Sequence, residues 1–99
     1  MHQPLTADLF LPHVGKVFRV RGGRHALTLS QVDLHPRQEA QAKVMERQPY
    51  TLILDGPPGD VLAEGLYTFE IDGGPALELY VIPVQTFAAD RQEYQIAFN

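Results

Sequence analysis

Cysteine is absent from the 99 residues. That excludes disulfide staples and thiolate–zinc sites alike, so packing alone has to hold the fold together. The core it can build is thin, because a domain of this length buries only roughly 60–70% of its unfolded surface. Long apolar runs are missing as well. "LILD" and "LYVIPV" fall far short of the roughly 20 residues that a membrane-spanning helix requires. The opening "MHQPLTADLFLPHVG" has no basic stretch followed by a continuous apolar one, which argues against a secretory signal. Cations are scarce: eight Lys and Arg face twelve Asp and Glu, a net charge of −4 with a pI near 5.4. Duplex nucleic acid or an anionic membrane repels that average. The expectation is one soluble, cytoplasmic domain over residues 1–99 that binds neither nucleic acid nor membrane.

Serine is nearly missing too. Ser30 is the only one, and it does not sit in the strained G-x-S-x-G elbow that a serine nucleophile uses. "DGPPGDVL" at Asp55–Leu62 looks at first like a phosphate loop. A P-loop needs lysine and then serine or threonine after its last glycine, whereas Asp60 and Val61 stand there. Two prolines also remove N–H donors, and two aspartates place negative charge where phosphate would sit. The segment reads as a connection between strands.

What is present is alternation. "KVFRV" puts Phe18 and Val20 on one face; "RGGR" then supplies glycines for a tight hairpin turn. In "HALTLSQVDLH", Leu27 and Leu29 share a face while Val32 and Leu34 have the opposite parity. A β-bulge near Ser30–Gln31 would point all four inward. Tyr50, Leu52 and Leu54 form a further apolar face, as do Tyr67, Phe69 and Ile71. "DGG" at Asp72–Gly74 marks a second hairpin, leading into "ALELYVIPV" and, later, "EYQIAF". In the latter, Tyr94, Ile96 and Phe98 alternate with Gln95. Tyr80 shares its face with Glu78 and so is a candidate for exposure. At the start of the chain, Thr6 can cap a short helical turn, with Asp8 at its positive end and Leu9, Phe10 and Val14 packing on the sheet. Pro12 and Gly15 stop it. The fold class is therefore mainly β: a single antiparallel β-roll, barrel or sandwich of about six strands with a short N-terminal helical turn.

Residues 36–49, between Pro36 and Pro49, are polar, charged and outside this pattern. They read as a mobile connection long enough to be a functional candidate. Pro83 and the final strand suggest a sheet edge open to strand addition by another chain. The interaction residues expected on this basis are Gln38, Glu39, Lys43, Glu46, Arg47 and Gln95. His25, Asp33 and His35 can be drawn as a metal site, since Asp33 and His35 share a strand face. No H-E-x-x-H or H-x-H spacing demands it, and solvated strand-end histidines are the preferred reading.

"LTADLFLPHVGKVFRV", "PYTLILDGPPGDVLAEGLYTFEID" and "LELYVIPVQ…YQIAFN" together resemble a family of small uncharacterised bacterial domains. The resemblance implies an association with proteins similar to phage-tail collar or fibre proteins, and it brings no catalytic residues and no cofactor. The functional expectation is a non-enzymatic protein-interaction or assembly module, accessory to a phage-tail-like system and with self-association open. The alternatives are a small-ligand-binding β-barrel and a metal-dependent enzyme using His25, Asp33 and His35.

Overall fold

The computed structural model describes residues 5–35 and 49–98. Its elements are a helical turn α1 (Ala7–Phe10), a 3₁₀ turn (Leu11–His13) and six strands: β1 (Val17–Val20), β2 (Ala26–Leu34), β3 (Tyr50–Gly56), β4 (Gly65–Ile71), β5 (Ala76–Val84) and β6 (Gln92–Phe98). They close into an antiparallel barrel in the order β1-β2-β3-β6-β5-β4. Among the described residues no helix is long and apolar enough to cross a membrane.

The two hairpins form where glycine permits them. Gly22 has φ +77° between β1 and β2, and Gly73 has φ +73° between β4 and β5, a region that L side chains avoid. The bulge falls where the alternation slips. Leu29 pairs with Leu54 but Gln31 pairs with Ile53, so Ser30 is the extra residue, and its hydroxyl donates to the Ile53 carbonyl at 3.0 Å. Leu27 and Leu29 before it are fully buried; Val32 after it is half-buried against the core. Leu34 departs from expectation. It has the inward parity but remains 46% exposed, because it pairs with Tyr50 at the end of β3, where the core runs out.

The final strand is a second departure. Gln95 lies between Ile53 of β3 and Ile82 of β5, paired on both sides, so it offers no free edge for strand addition. Stagger explains how a proline coexists with closure. β5 pairs with β4 through Ala76–Val81 and with β6 through Ile82–Val84. Pro83 lies beyond Gly65↔Val81, the last β4 pair, so β5 is laddered on one side there and tolerates a missing N–H.

Side chains from all six strands fill the interior, among them Phe18, Leu27, Leu54, Phe69, Val81 and Tyr94, each fully buried. The N-terminal turn covers one end. Phe10, also fully buried, lies 6.4 Å from the Phe18 ring, 6.1 Å from Tyr50 and 5.7 Å from Phe98. Burying one such ring stabilises by about 1.5–3 kcal/mol. The Tyr50 hydroxyl ties the turn down by donating to the Leu5 carbonyl at 2.8 Å. Thr6 occupies the N-cap position, but its hydroxyl makes no cap bond; its carbonyl accepts from Leu9 N–H at 3.0 Å instead. Val14, expected to pack, is 44% exposed.

Candidate interaction face

Period-two alternation places one set of residues on the outside of the barrel, and there three large apolar residues of β4 and β5 lie exposed side by side. Leu66 sits directly opposite Tyr80. Two residues along β5 on the same face, Ile82 sits opposite Gln95, which in turn sits opposite Ile53. Leu66 is 58% exposed, Tyr80 49% and Ile82 36%. Gln95 and Ile53 are half-buried and continue the band toward β3. Phe87, in the loop joining β5 to β6, is fully exposed. Leu66, Tyr80 and Ile82 lie within one strand spacing and two residue rows of one another, about 5 Å by about 7 Å between backbones, and beyond them the barrel curves away, since β3 stands across it from β4.

Acids surround it. Glu78 precedes Tyr80 on the same face, Glu93 precedes Gln95, and Glu64 accepts a 2.6 Å hydrogen bond from the Tyr80 hydroxyl. That bond to Glu64 raises the Tyr80 pKa above its ordinary value, because loss of the phenolic proton would set two negative charges together. None of Glu64, Glu78 and Glu93 has an ion-pair partner among the described residues. The four described arginines are committed elsewhere: Arg19 to Asp72 at 3.1 Å, Arg21 to Glu70 at 2.9 Å, Arg24 to Asp60 at 2.7 Å, and Arg91 to Asp55 at 3.5 Å and Asp90 at 3.4 Å.

Of the residues singled out in the sequence, Gln95 lies inside this band, although through its outer face and not through a strand edge. Gln38, Glu39, Lys43, Glu46 and Arg47 lie outside the described residues. Leu66, Tyr80 and Ile82 carry the face, and only Tyr80 stands out in the sequence. The signal for the others is parity. Leu66 opposes the Tyr67–Phe69–Ile71 set, and Ile82 opposes Leu79 and Val81; an apolar residue out of phase on a strand is one facing solvent.

The histidines do not converge. His25 and His35 flank the two ends of β2, roughly 30 Å apart at the rise of an extended strand, and no cluster of metal-ligating residues occurs among the described residues. Neither histidine is a solvated strand end. His35 Nε2 lies 2.7 Å from the Thr51 hydroxyl, a hydrogen bond in which either can donate. His25 Nε2 is buried 3.4 Å from Asp60 Oδ1, a contact that becomes an ion pair when the ring is protonated.

Asp60 is the loop acid that spoiled the phosphate reading, and it has a structural task. Arg24 grips it twice, Nη2 to Oδ1 at 2.7 Å and Nε to Oδ2 at 3.3 Å, which holds its carboxyl below the ordinary 3.8. Two residues on, Leu62 N–H donates to the buried Tyr94 hydroxyl at 2.8 Å. "DGPPGDVL" is thus a β3–β4 connection pinned to the β1–β2 turn on one side and to the barrel interior on the other.

No curated protein and no solved structure matches the chain. Residues 5–98 do match one uncharacterised family across nearly the whole barrel and its N-terminal turn, so the chain belongs to the domain of unknown function DUF6916.

Proposed function

We propose that this domain is a non-enzymatic protein-interaction module that docks through the outer face of β4, β5 and β6. The observation that carries the reading is the contiguous exposure of Leu66, Tyr80 and Ile82, at 58%, 49% and 36%, on adjoining strands of a barrel whose interior is already filled. Scattered surface apolar residues are ordinary. A cross-strand pair with a third member beside it, and an exposed phenylalanine in the adjoining loop, is not. The unpaired glutamates around the band favour a protein partner over nucleic acid. A cytoplasmic assembly role beside phage-tail-like components rests on the sequence resemblance alone.

The test is affinity purification of the tagged chain from its native cells, with Leu66→Asp beside wild type and Lys16→Asp as a surface control. Circular dichroism checks that all three are folded. The expected result is a stoichiometric partner retained by wild type and Lys16→Asp and lost from Leu66→Asp. Identical partners for all three would refute the reading.

A further inference from the structure

We infer that the barrel opens along one seam, between β5 and β6, and that the β4–β5 hairpin is the flap that swings. The inference stands apart from the docking reading but bears on it, because Ile82 and Gln95 sit on opposite sides of that seam. Ladder length picks out the place. β3 and β6 pair from Tyr50↔Phe98 to Gly56↔Gln92, and β4 and β5 from Gly65↔Val81 to Glu70↔Ala76. β5 and β6 pair only at Ile82↔Gln95, Pro83↔Tyr94 and Val84↔Glu93. Pro83 has no N–H, so its pair is of the type without hydrogen bonds and only the two flanking pairs exchange them. Tyr80 and Ala97 come next in register and do not pair. The two ladders of β1 are also short, but each is reinforced. Leu29 N–H donates to the Lys16 carbonyl at 3.0 Å beside the β1–β2 ladder. Toward β4, Arg21 N–H donates to the Thr68 carbonyl at 2.8 Å and Asp72 N–H to the Val17 carbonyl at 3.0 Å, and Arg19–Asp72 and Arg21–Glu70 add ion pairs. Across the β5–β6 seam, among the described residues, no ion pair forms, and the one side-chain hydrogen bond runs from Gln92 Nε2 to the Val84 carbonyl at 2.9 Å. The flap therefore keeps its own ladder and its hinge on β1 when the seam parts. Leu79 and Val81, 2% and 0% exposed, face the core from it, and their burial keeps the open state a minor one. Opening turns the barrel into a curled sheet with two free edges and divides the apolar face between the flap and β6.

Amide hydrogen exchange, followed by NMR on the intact ¹⁵N-labelled chain, tests this because neighbouring amides of β6 report on different ladders. The N–H groups of Glu93 and Gln95 point to β5, and those of Tyr94 and Ile96 point to β3. Ile82, Val84, Glu93 and Gln95 should form one group of similar protection. Their protection factors should lie at least tenfold below those of Tyr94 and Ile96 and, inside the flap, of Tyr67 and Leu79. Ile82→Cys with Gln95→Cys supplies a staple: the chain has no other cysteine, and the Cα atoms of such a pair lie about 5.5 Å apart, within disulfide reach. Oxidised, the variant should raise the protection of Val84 and Glu93 at least tenfold, to the level of Tyr94, and reduction should reverse the gain. Equal protection of Gln95 and Tyr94 in the wild-type chain overturns the inference, since the seam then parts only when the whole barrel unfolds. Exchange of Tyr67 and Leu79 together with the seam group also overturns it, because the hairpin then melts instead of swinging. So does a disulfide that leaves Val84 and Glu93 unchanged. None of these outcomes touches the docking reading, which the co-purification experiment decides.

Discussion

Inserting one alanine after Ser30 should cost far more than replacing Ser30. Ser30 is the one residue left out of the pairing, and because it is, Val32 and Leu34 share the inward face with Leu27 and Leu29. Deleting it would keep the same pairs in plain alternation, but a second extra residue forces Gln31–Leu34 either to flip every side chain or to leave β3. A flip would turn Gln31 and Asp33 inward, and a buried carboxylate with no partner is the more expensive outcome. Detachment sets the lower bound. Val32 and Leu34 are each about half-buried, worth about 1 kcal/mol apiece at about 1.5–3 kcal/mol for full burial. The Ser30–Ile53 hydrogen bond adds at most about 1 kcal/mol, for a total of about 3 kcal/mol. Ser30→Ala removes only the last contribution. Domains of this size are stable by about 5–15 kcal/mol, so both variants should fold. Urea titration followed by far-UV circular dichroism and tyrosine fluorescence gives the comparison. If the insertion is no worse than Ser30→Ala, the bulge does not set the register and the reasoning is wrong.

Three further outcomes are expected. Leu29→Ala, at a fully buried position, should lose about 2–5 kcal/mol in the same assay, whereas Leu34→Ala, half-exposed at the barrel end, should lose about 1 kcal/mol; equal losses would mean the core extends past Tyr50. Gly56→Ala places a Cβ 2.8 Å from Leu27 Cδ2 and 3.1 Å from the Tyr94 ring, which should cost about 1–3 kcal/mol by overpacking, and a neutral result would show that this contact yields freely. Asp60 titrates below the ordinary 3.8, so its contribution to stability is present above that value and lost as pH falls through the lower folded one. Arg24→Gln should move the Asp60 midpoint in a ¹³C NMR titration upward toward 3.8, and an unchanged midpoint would remove Arg24 as the cause.

The elements that sequence makes legible here are those written in consecutive residues. The turns at Gly22 and Gly73 and the slip at Ser30 follow from side-chain parity and backbone freedom within a few positions. Closure is not local. It depends on β5 serving β4 with one half and β6 with the other, a stagger that no stretch of sequence states. Pro83 signals correctly that one side of its strand is unladdered, yet that side belongs to β5 and not to the final strand. Asp60 is illegible for a similar reason: its partner Arg24 lies 36 residues earlier. The candidate face is half legible, since parity marks Leu66 and Ile82 as out of phase but only the register sets Leu66 against Tyr80 and Ile82 against Gln95.

The ring contact between Phe10 and Phe98 has a consequence in time. The turn that stoppers the barrel is synthesised first, while one wall of its socket is synthesised 88 residues later. Until β6 emerges, Phe10 has no Phe98 to meet, and Tyr50 lacks the ring stacked on it at 4.6 Å. Barrel closure likewise waits, because β6 bridges β3 and β5. The nascent chain can form its local hairpins, β1–β2 and β4–β5, but its apolar faces stay uncovered until the last strand arrives. Contacts of such long sequence separation slow folding, typically to milliseconds or longer. Closure thus trails the synthesis of every other strand, and the exposed hairpins are what a chaperone would meet first.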